Sequence, residues 1–236
     1  MTPAELASKI DHTILKPEAS WLDVQRVILE AKQFRFASAC ISPCFVKRAA
    51  EMLGGSGVLT CTVAGFPAGT SKPTLKAIEA SSAVKDGAQE VDVVAHLPFL
   101  LAEDLPAAKA ELLEVVRAAR ASNPRTVIKV IVESAALILL GGSRAESIIA
   151  KACAAVRESG CDFIKTSTGF HPAGGASVQA VLWMCKYGQG LLVKASGGIR
   201  DWPAAKAMLE AGADRLGLSC SVAIIRQLAP ANDAMT

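Results

Sequence analysis

Lys165 and Lys194 each end a short apolar run, Cys161-Asp-Phe-Ile-Lys165 and Leu191-Leu-Val-Lys194. A lysine that closes a buried strand either puts its ammonium at the strand mouth or leaves it poorly hydrated. Lost hydration and a neighbouring cation both favour the neutral amine, which is a nucleophile toward carbonyl carbon. The pair therefore points to imine chemistry. Asp92, within Glu90-Val-Asp92-Val-Val94, is an acid in an otherwise apolar run. An unpaired buried charge is costly, so Asp92 needs a partner, and a lysine from either run can supply it. Two amines against one carboxylate leave a cation in surplus, a condition that pushes one amine toward neutrality. A buried salt bridge that only fixes the fold is the competing reading of Asp92.

A second set of residues suits an anion. Ser196-Gly197-Gly198 directly follows the Lys194 run, and Gly217-Leu-Ser219-Cys-Ser221 precedes a final helical segment. Backbone N–H groups of such loops, with a helix N-terminus, bind phosphate. Gly169 and the pair Gly174-Gly175 add flexible backbone after the Lys165 run. Each glycine pair alone is more often a tight turn than a ligand site. Other polar residues at predicted strand ends are Asp11, His12 and Thr13, Ser42, Lys129 and Glu133, and Thr166 and Thr168. The three histidines read as structural, with His12 hydrogen-bonded within the mouth.

These residues need a scaffold that brings strand ends together. Predicted strands run Lys9–Ile14, Phe36–Ser42, Gly57–Thr62, Glu90–Val94, Thr126–Glu133, Phe163–Thr166, Leu191–Lys194 and Arg215–Gly217. Helix-period segments lie between them: Trp21–Phe34, Cys44–Leu53, Pro73–Asp86, Leu105–Arg120, Arg144–Ser159, Ser177–Lys186 and Trp202–Ala211. Several strands are apolar throughout, as in a parallel sheet covered by helices. Eight strand–helix units define an α/β chain, a closed (β/α)8 TIM barrel of one domain over residues 1–236. An open doubly wound sheet is the alternative, but no Gly-x-Gly-x-x-Gly phrase follows the first strand. The apolar stretch Ala135–Leu140 and the pair Gly141-Gly142 read as strand and loop.

Composition narrows the function classes. Hydrophobic residues make up 51% of the chain and charged residues 20%, enough for a substantial core. The formal charge of +3 is spread out with no basic run, so no nucleic-acid surface is expected. No apolar stretch reaches the roughly 20 residues of a membrane span, and Met1-Thr-Pro-Ala-Glu-Leu has no signal-peptide pattern. Seven cysteines without an export signal read as buried, reduced thiols of a cytoplasmic protein. Cys40 and Cys44 lack a second pair at zinc-site spacing, so no metal is expected.

The chain resembles the deoxyribose-phosphate aldolases, class I aldolases of the barrel fold. The phrases that carry the resemblance are Ile10-Asp-His-Thr-Ile-Leu-Lys-Pro17, Thr62-Val-Ala-Gly-Phe-Pro-Ala-Gly69, Glu90-Val-Asp-Val-Val94, Lys129-Val-Ile-Val-Glu133, Phe163-Ile-Lys-Thr-Ser-Thr-Gly-Phe170 and Val193-Lys-Ala-Ser-Gly-Gly-Ile-Arg200. The resemblance implies reversible cleavage of 2-deoxy-D-ribose 5-phosphate to acetaldehyde and D-glyceraldehyde 3-phosphate, with no cofactor. It implies Lys165 as the Schiff-base lysine, Lys194 as the like charge that favours its neutral form, and Asp92 as a proton relay through water. It places Asp11 and Thr168 near substrate hydroxyls, and Gly169, Gly197, Gly198 and Ser219 at the substrate and its phosphate. The partners implied are a phosphosugar, an aldehyde and further copies of the chain. Departures from the family pattern are Ser42, His96, Pro98, Leu218, a longer loop at Phe170–Gly174 and the absence of a C-terminal tyrosine, Tyr187 being the only one. Two alternatives remain: a related Schiff-base lyase or transferase on another phosphorylated sugar, and a phosphate-binding barrel without turnover.

Overall fold

The computed structural model describes residues 1–228. Residues 229–236, the end of the expected single domain and the stretch without the family's tyrosine, lie outside it. Eight strands close into one parallel barrel in sequence order: β1 (Ile10–Ile14), β2 (Ser38–Ile41), β3 (Leu59–Ala64), β4 (Glu90–Val94), β5 (Val127–Ile131), β6 (Phe163–Lys165), β7 (Leu192–Ser196) and β8 (Arg215–Leu218). Pairing of Ile10 with Leu216 and of His12 with Leu218 closes the ring. The helices are α1 (Pro3–Ala7), α2 (Trp21–Phe34), α3 (Val46–Leu53), α4 (Pro73–Lys85), α5 (Leu97–Leu101), α6 (Leu105–Ser122), α7 (Ser134–Gly141), α8 (Ala145–Glu158), α9 (Val178–Gly188), α10 (Trp202–Glu210) and α11 (Ser221–Leu228). The TIM-barrel expectation holds, and no helix among the described residues is long and apolar enough to cross a membrane.

Local chemistry explains the element ends. Ser20 and Asp23 form a reciprocal capping box on α2, and Arg35 stops that helix in a left-handed conformation. Two similar phrases, Asp86-Gly-Ala-Gln-Glu90 after α4 and Ala211-Gly-Ala-Asp-Arg215 after α10, place Gly87 at φ +110° and Gly212 at φ +107°, as a helix stop followed by a strand requires. Several segments depart from expectation: α1 and α5 form where no helix is expected, and β3 lies two residues later than Gly57–Thr62. Ala135–Leu140 lies in α7, because length and continuous apolarity cannot separate a short buried helix from a strand. The fifth strand ends at Ile131, and Glu133 turns the chain at φ +52°.

Residues alternate along each strand. Val91, Val93, Ile128, Val130, Ile164 and Val193 join one continuous apolar layer under the helices. The positions between them face the barrel interior. Ladder register sets Asp92 beside Lys129, Lys165 beside Lys194, and Asp11 beside Ser38 and Gly217.

Candidate active site

The barrel interior holds a connected ion network, where barrels of this kind more often pack branched apolar side chains. Asp92 is its hub and is fully buried. Its Oδ2 accepts from Lys165 Nζ at 2.7 Å and from Lys194 Nζ at 2.6 Å. Its Oδ1 accepts from Lys129 Nζ at 2.8 Å. Lys194 also donates to Asp11 Oδ2. Lys129 also reaches Glu90 Oε2 at 2.7 Å and Asp11 Oδ2 at 3.4 Å. Arg215 closes the network from below, 2.6 Å from Asp11 Oδ1 and 3.5 Å from Glu90 Oε2. Four cations (Lys129, Lys165, Lys194, Arg215) thus face three carboxylates (Asp11, Glu90, Asp92) among the described residues. The cation surplus expected from two lysines and one acid survives in this larger group.

The two lysines of β6 and β7 differ in how firmly they are held. Among the described residues Lys194 contacts two carboxylates and Lys165 contacts only Asp92. Burial alone would favour the neutral amine of Lys194, but Asp11 and Asp92 outweigh it and raise its pKa above the ordinary lysine value. Lys194 is therefore a firmly held cation beside Lys165. Burial works to raise the Asp92 pKa, and Lys129, then Lys165 and Lys194, drive it well below the usual carboxylate range. Gly217 makes room for the Lys194 stem: a Cβ there would lie 3.1 Å from Lys194 Cε and 2.9 Å from Ser196 Cβ.

The expected site residues fall into two groups. Lys165, Lys194, Asp92 and Asp11 share the network. Asp11 sits deep, its Oδ1 taken by Ser38 Oγ at 2.7 Å and by Arg215, its Oδ2 by Lys194. These bonds and its full burial direct Asp11 toward Lys194 and Arg215. The loop residues form the second group. The Thr168 N–H donates to Glu133 Oε1 at 2.9 Å, and Thr168 Oγ1 accepts from the Phe170 N–H at 3.1 Å. Gly169 and Gly197 pack backbone to backbone, at φ +84° and +86°; a Cβ on Gly197 would lie 3.1 Å from the Cα atoms of both Gly169 and Gly175. Gly198 (φ +79°) faces open space. Ser219 is exposed between β8 and α11. Its neighbour Cys220 donates through Sγ to Ile199 O at 3.5 Å, tying the loop after β8 to the loop after β7.

Some residues entered the site unforeseen. Glu90 and Arg215 were placed in strands without a role, and Lys129 and Glu133 stood as candidates without one. Period two from Asp92 picks out Glu90, and period two from Gly217 picks out Arg215. Glu133 is buried and anchors the loop carrying Thr168 and Gly169; its Oε2 has no partner among the described residues. His12 turns away from the mouth. It bonds Glu30 on α2 at 2.6 Å and Ser221 on α11 at 2.8 Å, because its strand position faces the helices. Cysteine burial is also less complete than expected: Cys44 and Cys185 are exposed, while Cys40, Cys61, Cys153 and Cys161 are buried. Two donor sets are close enough to share a metal ion, Cys40–Cys61–Asp92 and Asp11–Cys61–Glu90, with donor atoms within 4.8 Å of one another. Their carboxylates already bind Lys129, Lys194 or Arg215, so a dication would have to displace those cations.

A parallel barrel with a lysine–carboxylate network inside its strand mouth defines a class of enzyme that works by amine and carboxylate chemistry. Comparison with known proteins narrows that class. Residues 6–226 match the DeoC/LacD family of aldolases, and the chain belongs to that family. It is 47% identical over 223 residues to a deoxyribose-phosphate aldolase of Caldanaerobacter subterraneus subsp. tengcongensis, covering 94% of this chain and 93% of that protein. It is 46% identical to one from Mycobacterium avium, covering 95% and 98%. The solved tetrameric deoxyribose phosphate aldolase of Aeropyrum pernix superposes with a TM-score of 0.85 at 32% identity, covering 96% of this chain and 92% of that one.

Proposed function

We propose that this aldolase cleaves 2-deoxy-D-ribose 5-phosphate reversibly to acetaldehyde and D-glyceraldehyde 3-phosphate through an imine on Lys165. The observation that carries the assignment is the shared Asp92 oxygen: Lys194 holds it together with a second carboxylate, Lys165 holds it alone. Lys165 Nζ adds to C1 of the open-chain sugar, and loss of water leaves an iminium. Asp92, through water, takes the proton of the C3 hydroxyl. The C2–C3 bond breaks, its electrons enter the iminium to give an enamine, and C3 leaves as the aldehyde of glyceraldehyde 3-phosphate. The relay returns a proton to C2, and hydrolysis frees acetaldehyde and the amine. Lys194 stays cationic throughout and keeps the pocket positive. Thr168 lies beside the substrate hydroxyls. Backbone N–H groups at Gly169, Gly197 and Gly198, with Ser219, hold the phosphate, and this remote contact supplies binding energy for alignment at C2–C3.

The test is borohydride reduction in the presence of acetaldehyde, read by peptide mass, alongside steady-state cleavage of deoxyribose phosphate and other phosphosugars. The expected result is a stable two-carbon adduct on Lys165 and preference for the deoxyribose substrate. Lys165→Leu should lose the adduct and on the order of 10⁴-fold or more of the turnover while remaining folded. Appreciable turnover in that variant would refute the nucleophile. Preference for another phosphosugar would move the chain to a related lyase, and absence of any adduct would favour ligand binding without chemistry. The seven free thiols suit a reducing compartment, so we assign the reaction to the cytoplasm. The tetrameric relative supports a homo-oligomer.

A further inference from the structure

Lys76 on α4 and Glu111 on α6 form an ion pair away from the central network, at 0% and 2% exposure, with Nζ 2.5 Å from Oε1. Neither residue faces the barrel interior. Their remaining bonds go to the backbone just beyond β4. Lys76 Nζ donates to Val94 O at 2.7 Å, and the His96 N–H donates to Glu111 Oε2 at 3.0 Å. The N–H between them, that of Ala95, points the other way, to Ile131 O of β5 at 3.0 Å. Val94 O and His96 N–H therefore both face β3. The β3 ladder stops one step earlier, at the Ala64–Val93 pair, where Gly65 turns away at φ +64°. The ion pair occupies the place of the missing strand and makes the two bonds that strand would have made. Gly65 gives it passage: a Cβ there would lie 2.9 Å from Lys76 Cε.

A buried ion pair is a poor way to gain stability, because desolvation offsets most of the attraction. It is a good way to fix two backbone groups in one geometry. Asp92 lies two residues before Val94 on the same strand, and its Oδ2 must meet two amines at once. Proton transfer and alignment at a reacting carbon tolerate little displacement.

We propose that Lys76 and Glu111 are a positioning pair for Asp92: by clamping the end of β4 they set the carboxylate for proton transfer at C2, without acting on imine formation at Lys165. The proposal rests on the reading of Asp92 as the proton relay. The test compares two rates in one protein. Uptake of deuterium into the methyl group of acetaldehyde in D2O, followed by proton NMR, reports proton transfer at C2. Borohydride trapping of acetaldehyde on Lys165 reports imine formation. The double variant Lys76→Met/Glu111→Leu removes both charges at similar volume, a replacement that is often neutral for stability, and frees the Val94 carbonyl and the His96 N–H. Its exchange rate should fall about 10- to 100-fold while trapping stays within about threefold of the parent. Unchanged exchange would overturn the proposal. Equal loss of both rates would also overturn it, because a general loosening of the barrel produces that. Should the double variant fail to fold, Glu111→Gln gives the same comparison, with the exchange-to-trapping ratio expected to fall several-fold and an unchanged ratio counting against the pair. Asp92→Asn separates the underlying reading: parental exchange in that variant strikes the relay itself, whereas exchange lost there and kept in the double variant strikes only the pair.

Discussion

Along β4, Val91 and Val93 point outward into the apolar layer under the helices, while Glu90 and Asp92 point inward into the ion network. The same alternation separates Ile128 from Lys129 on β5 and Ile164 from Lys165 on β6. The outer layer gains its free energy from area removed from water, which is non-directional and tolerates repacking. The inner network depends on angles and distances among partners that are shared: Asp92 alone serves three lysines. Loss of an outer residue should therefore be felt locally and as stability. Loss of an inner one should propagate to every group it touched, and as chemistry.

Asp92→Asn is the strongest way to break that contrast. It removes the carboxylate that Lys129, Lys165 and Lys194 have in common and leaves their charges facing one another. Cleavage should fall about 10²- to 10⁴-fold, the range for a lost acid–base group, and stability should drop by about 3–5 kcal/mol, as when one partner of a buried pair is removed. Steady-state kinetics and urea unfolding measure the two. Ile128→Ala should do the reverse. Its cavity should cost about 2–5 kcal/mol, seen as a lower urea midpoint, while kcat at a permissive temperature stays within about threefold of the parent. A large kcat loss from Ile128→Ala would show that the outer layer also tunes the chemistry.

The contrast also explains what the sequence made legible. The barrel was legible because strand and helix periods differ and eight units repeat. Lys165, Lys194 and Asp92 were legible because a charge inside an apolar run is costly and needs a partner. What was hidden is which charges meet. Glu90 and Arg215 lie 125 positions apart and come within 3.5 Å only because β8 closes on β1 and the barrel brings β4 opposite. The role of Asp11 depends on the Arg215 and Ser38 bonds, which no local pattern reveals. His12 was misplaced because one step along β1 separates the interior from the helix side. Lys76 carries no distinguishing pattern, since nothing in Pro73–Lys85 tells that β3 stops one residue short of β4.

pH sharpens the comparison at smaller amplitude. Burial would raise the Asp11 pKa, but Lys129, Lys194 and Arg215 hold it below the ordinary carboxylate value, as Lys129, Lys165 and Lys194 do for Asp92. A depressed carboxylate contributes stability that is present above its unfolded value, near 4, and is lost as pH falls toward the folded value. Lys194 has the opposite sign: burial opposes its charge, Asp11 and Asp92 raise its pKa, and its contribution is present below about 10.4 and is lost as pH rises beyond. Urea midpoints should thus be flat only between about pH 7 and pH 8: burial lowers the His12 pKa, so stability begins to fall below about 6.5, and burial pushes the Cys153 and Cys161 thiols up to about 12, so stability begins to fall above about 8.5, with the carboxylates and Lys194 steepening the two limbs further out. Ile128→Ala should lower the whole profile without changing its shape, and Asp92→Asn should flatten the acid limb. An acid limb of unchanged slope in Asp92→Asn would remove the network from the account of acid stability.

The smallest expected effect concerns the loops, where backbone rather than side chains meets the ligand. Gly198 has φ +79° and open space around its missing Cβ, so Gly198→Ala adds left-handed strain and no clash. That strain is about 1–2 kcal/mol, and relaxation of the loop would turn the adjacent N–H groups away from a bound phosphate. KM for the phosphorylated sugar should rise roughly five- to tenfold, while kcat and the cleavage of unphosphorylated deoxyribose stay near the parent values. Gly197→Ala carries the same strain with a Cβ 3.1 Å from two neighbouring backbones, so its KM effect should exceed that of Gly198→Ala. The phosphorylated and free sugars differ only at the phosphate, so their ratio isolates the loop from the ion network inside the strands. Equal losses on both sugars would mean that the loops act through Lys194, three and four residues upstream of these glycines on β7, and that the boundary between the apolar, charged and phosphate-facing regions is drawn in the wrong place.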